Sequence, residues 1–443
     1  MIHHSWSRTT HLTAFCLALA LLAAPCPAAA QRLVVSYAPD GGVLPALPFV
    51  TQSIDLGAGA VEWTEPFAMN GTPVVAHNGR HVLYQRPATP TGPLLLFARD
   101  LVANVTVPLP FDFEPRLAHP TQLAFFGLTD VHSTGFGRSA GTLARLDVAG
   151  LQTAGGCPAD TTVVFDLSAD AGTMASLCES GDIVLLNATS GQTIRTLVAN
   201  AATPIVSLRW NSDATGLLVT RRNGTVTNEI ALLDAVSGAA LSTTTMGPAQ
   251  AGCVISGISP DRTLAVVGCT WAAAPSSVVG EARVLDVGAL AVRPALMTGL
   301  IPSTAVFSPD NRAVFLTSAH RLGFGTLNQH DVATGAVTLS SGIITPGRFT
   351  VAFAPLAPAL GATVVGTRLD LSWTLPPHSP AATRYALEAG TAPGRTDIGT
   401  VTVGPGQTLS IPSVPPGAYL VRVRAANATG VGTASNEVSV TVP

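Results

Sequence analysis

The sequence predicts an all-β chain of two modules: a large body of repeated four-stranded units, then a small β-sandwich. Three observations lead there. Gly (42) and Pro (34) are abundant in 443 residues, which favours many turns over long helices. An apolar strand ending in Asp or Asn, followed by a small-residue turn, recurs every 40 to 52 residues. Runs of alternating hydrophobicity fill the last ninety residues, as in strands with one buried face.

The chain opens on a segment that is not part of that fold. Residues 1–30 carry Arg8, an apolar stretch from Leu12 to Ala24, and Ala28-Ala29-Ala30 before Gln31. This is the pattern of a secretory signal peptide, and the apolar stretch is shorter than the ~20 residues a membrane span needs. No later segment is long and apolar enough to cross a bilayer. A secreted protein, extracellular or periplasmic and of bacterial type, is therefore expected.

The repeat is marked at Asp55, Asp100, Asp147, Asn187, Asp234, Asp286 and Asp331. Asp or Asn at such a place accepts hydrogen bonds from its own turn, and a following Gly takes positive φ. A second marker runs in phase: Ser168-Ala169-Asp170, Asn211-Ser212-Asp213, Ser259-Pro260-Asp261 and Ser308-Pro309-Asp310. Each sits between two apolar runs, a strand–turn–strand pattern. One repeat thus holds strands A, B, C and D. Four-stranded units at this spacing are the signature of β-propeller blades, and seven markers imply seven blades over residues 31–354. The first repeat has too few residues before Asp55 for its A strand. Phe349–Phe353 is expected to supply it and close the ring, leaving no free sheet edge. The turns resemble those of WD-repeat and YVTN-type propellers, without the Gly-His and Trp-Asp signatures of true WD repeats.

Pro355-Leu356-Ala357-Pro358 reads as a short stiff linker. Beyond it, Trp373, Tyr385, and Tyr419 after Pro415-Pro416-Gly417 match the core Trp, the strand C aromatic and the tyrosine corner of a fibronectin type III domain. The run through Asn427, Gly430, Gly432 and Ser435 matches the start of its final hairpin. Residues 355–443 resemble that immunoglobulin-like β-sandwich, which implies a spacer or adhesion module. No Arg-Gly-Asp tripeptide is present.

Beyond the leader segment, four cysteines remain: Cys157, Cys178, Cys253 and Cys269. They allow three pairings. Export favours disulfides, and no Cys-x-x-Cys suggests zinc. Cys253 opens an A strand and Cys269 closes the B strand of the same blade, eight residues either side of Asp261. Cys157 and Cys178 flank another hairpin. The expected pairs are Cys157–Cys178 and Cys253–Cys269.

The net charge of −3 advertises no nucleic-acid surface, and every basic residue is Arg. Gly137-Arg138-Ser139-Ala140-Gly141 matches a nucleophile-elbow pattern but falls between strands. Ser168-Ala169-Asp170-Ala171-Gly172 resembles the Asp-box of sialidase-type propellers but lacks its aromatic. No metal or cofactor motif is found. Asn70, Asn104, Asn187, Asn223 and Asn427 head glycosylation sequons, relevant only in a glycosylating host. B–C loops emerge on one propeller face beside the D–A loops, and long loops on a rigid scaffold favour binding. They are expected to carry Arg86, His132, Arg138, Arg221, Arg222, Trp271, His320 and Arg321, a set suited to an anionic or glycan-like ligand. The resulting expectation is a non-catalytic scaffold binding a protein or glycan at the cell surface. The alternatives are a propeller enzyme (lyase, lactonase or glycoside hydrolase) and a cell-wall or polysaccharide-binding protein.

Overall fold

In the computed structural model the described residues are 31–37, 50–56, 58, 60–65, 69–89, 92–134, 139–158, 160–197, 204–223, 226–249, 251–274, 277–319, 325–344 and 349–443. The expected leader, residues 1–30, lies outside them. The described residues form strands and turns, with no α-helix among them.

Through residue 353 the strands pair as antiparallel meanders, in three sheets of four strands and two of eight. Each eight-stranded sheet is two meanders joined at a single bridge, Gly141 with Thr162 in one and Thr227 with Gly252 in the other. The repeat spacing favours this: turns reverse the chain after four to eleven residues, so neighbouring strands pair in sequence order.

Both sequence markers are visible as hydrogen bonds. The carboxylate of Asp234 accepts from the backbone N–H of Val236 and Ser237, and that of Asp331 from Ala333 and Thr334. Asn187 does the same through its amide oxygen. In the second marker the Ser hydroxyl accepts from the N–H five residues on, as Ser259 does from Leu264 at 2.9 Å. The Asp carboxylate accepts from the N–H two residues on, as Asp261 does from Thr263. The residue between them turns left-handed: Ala171, Ala214, Arg262 and Asn311 all have φ between 57° and 59°. Gly79 takes that role in the second repeat, with φ 65°.

The ends of the repeated body share one sheet. Phe349–Phe353 pairs antiparallel with Gln31–Tyr37, Leu33 opposite Val351, and that sheet continues through Val50–Asp55 and Ala60–Glu65. Between repeats, alternate faces of the strands pack as separate apolar clusters, such as Leu177, Leu208, Trp210 and Leu233 between the fourth and fifth. Gly257 lets the sixth and seventh repeats approach: a Cβ there would lie 2.4 Å from the Ala305 carbonyl oxygen.

Both expected disulfides form. Cys157 and Cys178 have Cα atoms 5.6 Å apart, and Cys253 and Cys269 4.0 Å. Cys253 and Cys269 are directly opposed across the hairpin.

Residues 359–442 form two further sheets, one of three strands and one of five. Trp373 and Tyr385 meet between them at 5.3 Å, tilted 60°, among Leu369, Leu371, Val421 and Val423. The Tyr419 hydroxyl donates to the Pro415 carbonyl at 2.8 Å, fixing the turn before its strand. This module touches the repeated body through hydrogen bonds: Asn427 Nδ2 to the Phe353 carbonyl, Arg32 Nη1 to that of Ala428, and Ala381 N–H to that of His77.

Candidate functional site: a channel lined by the A strands

Residues of all seven A strands line one cavity of about 910 Å³. These strands are Asn70–Val75, Glu114–Ala118, Thr162–Leu167, Ile205–Trp210, Gly252–Ile258, Ile301–Phe307 and Phe349–Phe353. Much of the wall is apolar, including Val163, Phe165, Ala305 and Phe307. His378, Ser379 and Pro380 of the C-terminal module line the end at the A–B turns.

A polar cluster interrupts that wall near the A–B end. Asp166, buried, accepts from Arg262 Nη1 at 2.5 Å and from the Trp210 backbone N–H at 2.8 Å. Arg262 comes from the sixth repeat and Asp166 from the fourth. The left-handed turn at Arg262 aims its side chain past the fifth repeat, where Nη1 also donates to the Trp210 carbonyl. Arg209, on the fifth A strand, donates from Nη1 to the Leu208 carbonyl at 2.7 Å. Burial pushes the Arg209 pKa down; the nearby Asp166 charge opposes this and that of Arg262 adds to it. Glu114 and Arg116 pair at 2.9 Å.

Two histidines stand at the same end. His119 accepts at Nδ1 from the N–H groups of Thr121 and Gln122 (3.2 and 3.1 Å), two and three residues on, where Ser in other A–B turns accepts from the N–H five residues on. Its proton therefore sits on Nε2. Burial lowers the pKa of His119, with the Arg145 and His77 charges acting the same way. Burial also lowers that of His77, against a hydrogen bond to the Gln122 backbone. Among the described residues no group of three or more His, Cys, Asp or Glu is disposed to hold a metal ion.

Of the sequence-predicted site residues, Arg86, His132, Arg221, Arg222 and Trp271 are described, and each lies in a strand. Arg86 lies in the strand His81–Pro87 rather than in a loop, and is drawn inward: Nε donates to Glu65 at 2.7 Å, and the guanidinium stacks 4.0 Å over Phe97. Glu65 also accepts from Tyr84 and Thr106, so Arg86 completes a buried network. Arg221 and Arg222 likewise fall inside a strand, Gly216–Asn223; Arg221 pairs with Glu229 at 3.3 Å. His132, in Ala124–Ser133, lies 3.4 Å from Glu179. Trp271 packs on the core beside Cys269. The B strands run longer than expected, because cross-strand pairing continues into the polar residues. Arg138, His320 and Arg321 lie outside the described residues. Ser139 begins a strand, not the strand-to-helix elbow its motif would require, and lines the channel.

The channel cluster escaped the sequence reading, yet it left a signal. Asp166 and Arg209 both stand two residues before the turn marker, at Ser168 and Asn211, where the corresponding residues of the sixth and seventh repeats are Gly257 and Val306. A charge inside an apolar A strand points to the channel.

No family model matches the sequence, and no curated protein matches it. Among solved structures it is similar to a putative 6-phosphogluconolactonase from Bacteroides fragilis, at 12% identity and TM-score 0.49 over 74% of this chain and 99% of that one. TolB from Acinetobacter baumannii is similar at 12% identity and TM-score 0.42, over 78% and 72%. The β-propeller domain of Swd1 from Myceliophteria thermophila is similar at 12% and 0.44, over 61% and 89%. Likeness this slight does not bear on activity.

Proposed function

We propose that this chain is an exported, non-catalytic ligand-binding scaffold. In this reading residues 31–354 are a seven-bladed β-propeller, and residues 355–443 a fibronectin type III domain acting as spacer or adhesion module. The two disulfides are consistent with an oxidising compartment. The ligand would be a protein or glycan at the cell surface, polysaccharide included. The observation that carries the reading is the state of the channel carboxylates. Asp166 is held by Arg262 and Glu114 by Arg116, so neither is poised as a free general base. The test is incubation of the exported chain with acidic and neutral polysaccharides. Retention without new reducing ends or unsaturated products is expected; product formation would overturn it. At the loop face, Arg221→Ala with Arg222→Ala is expected to abolish binding of a ligand seated there, and unchanged affinity would remove that face from the site.

One observation favours the enzyme reading instead. His77 stands at the channel end with its pKa lowered by burial, the condition for a neutral imidazole acting as base. Lyase, lactonase and glycoside hydrolase chemistry are the classes to assay.

A further inference from the structure

The channel's charges do not balance. Among the described residues that line it, three guanidiniums (Arg116, Arg209, Arg262) face two carboxylates (Glu114, Asp166). Glu114 is taken by Arg116 at 2.9 Å. Asp166 is taken by both terminal nitrogens of Arg262, at 2.5 and 3.4 Å, and by the Trp210 N–H. Arg209 is left with a carbonyl partner, that of Leu208. A guanidinium carries five N–H donors in a planar fork, so most of its capacity faces the channel unspent. The nearest carboxylate to Arg209, Asp166, is shared with Arg262, so one negative charge serves two cations, and such an excess of positive charge in a protein wall is costly and calls for an anion.

We propose that Arg209 anchors the oxyanion group, a carboxylate or a phosphate, of a small hydroxylated organic ligand held inside the channel. The fork of a guanidinium matches either oxyanion through two parallel hydrogen bonds. A cavity of about 910 Å³ has the size of a small-molecule site. Thr72, Ser139 and Thr350 add hydroxyls to its lining, suited to a sugar-like body. His378, Ser379 and Pro380 stand at the A–B end, so the ligand enters from the face of the B–C and D–A loops. The inference rests on the reading of the channel as a binding site.

The test uses the exported full chain with inorganic phosphate, D-glucuronate and D-glucose, followed by calorimetry and thermal unfolding. At least one oxyanion is expected to bind and raise Tm with concentration, while glucose does not. The tighter of the two names the source of the anion. Arg209→Gln is expected to weaken that binding tenfold or more, and to leave the unliganded Tm equal or higher because an unbalanced charge is gone. Arg209→Lys keeps the charge but loses the fork, so a several-fold loss is expected; this variant decides the matter if the Gln variant does not fold. Failure of both oxyanions to bind the parent chain, or undiminished affinity in the variants, would overturn the proposal. Consumption of glucuronate would leave the Arg209 site standing and sink the non-catalytic reading.

Discussion

Arg262 reaches across an entire repeat to hold Asp166: a turn residue of the sixth repeat closes a salt bridge with an A strand of the fourth. Both side chains are almost wholly buried, so the pair is a tie between repeats, not a surface contact. Loss of Asp166 would leave Arg209 and Arg262 as like charges in one wall. Asp166→Asn is therefore expected to destabilise the chain by about 3–5 kcal/mol. Denaturant unfolding measures this; a loss below about 1 kcal/mol would show that the pair does not hold the repeats together.

Each disulfide closes a hairpin, with sequence separations of 21 and 16 residues. On the chain-entropy account each contributes about 3 kcal/mol. Replacing Cys253 and Cys269 together by Ala is expected to lower stability by that amount. A non-reduced peptide map that links the four cysteines in any other way would contradict the pairing.

The repeat markers predict their own exchange rule. Asn187 serves the fourth repeat where Asp serves the others, because only the side-chain oxygen of the turn is used. Asp331→Asn is thus expected to be nearly neutral. Asp331→Ala, which strands two backbone N–H groups, is expected to cost about 0.5–1.5 kcal/mol. Equal thermal unfolding of the two variants would refute the role of the turn bond.

Acid is expected to weaken the fold in two stages. His77, His119 and His330 have pKa values lowered by burial, so the unfolded chain takes up their protons first. Their contribution is complete above the unfolded value of about 6.5 and is lost as pH falls through the lower folded values. Asp170, Asp213 and Asp331 are lowered by side-chain hydrogen bonds from Ser168, Thr215 and Thr334. Their contribution is present above about pH 4 and is lost below it. Unfolding free energy measured from pH 8 to 3 should fall in both ranges; a flat profile from 7 to 5 would exclude the histidine stage.

The parts legible in the sequence were those fixed by local chemistry. The seven Asp or Asn turns, the four second markers and the facing positions of Cys253 and Cys269 are each settled within about twenty residues. The pairing of Phe349–Phe353 with Gln31–Tyr37 was legible by elimination, since the first repeat lacked a strand. The channel was not legible, because Arg262 and Asp166 meet only once three repeats stand side by side. The strand placement of the loop-face cations was hidden for a related reason. Arg86 looks free until Glu65, twenty-one residues upstream, is brought beneath it.

The shared sheet at the two ends of the repeated body sets an order on assembly. Gln31–Tyr37 has no A-strand neighbour until residues 349–353 have been made, more than three hundred positions later. Every other repeat completes itself from consecutive hairpins. Closure is thus the step of highest contact order, and it should be the slow phase of refolding. Until it occurs, Gln31–Tyr37 presents an open edge to any passing strand, a hazard for truncated chains that stop short of residue 349.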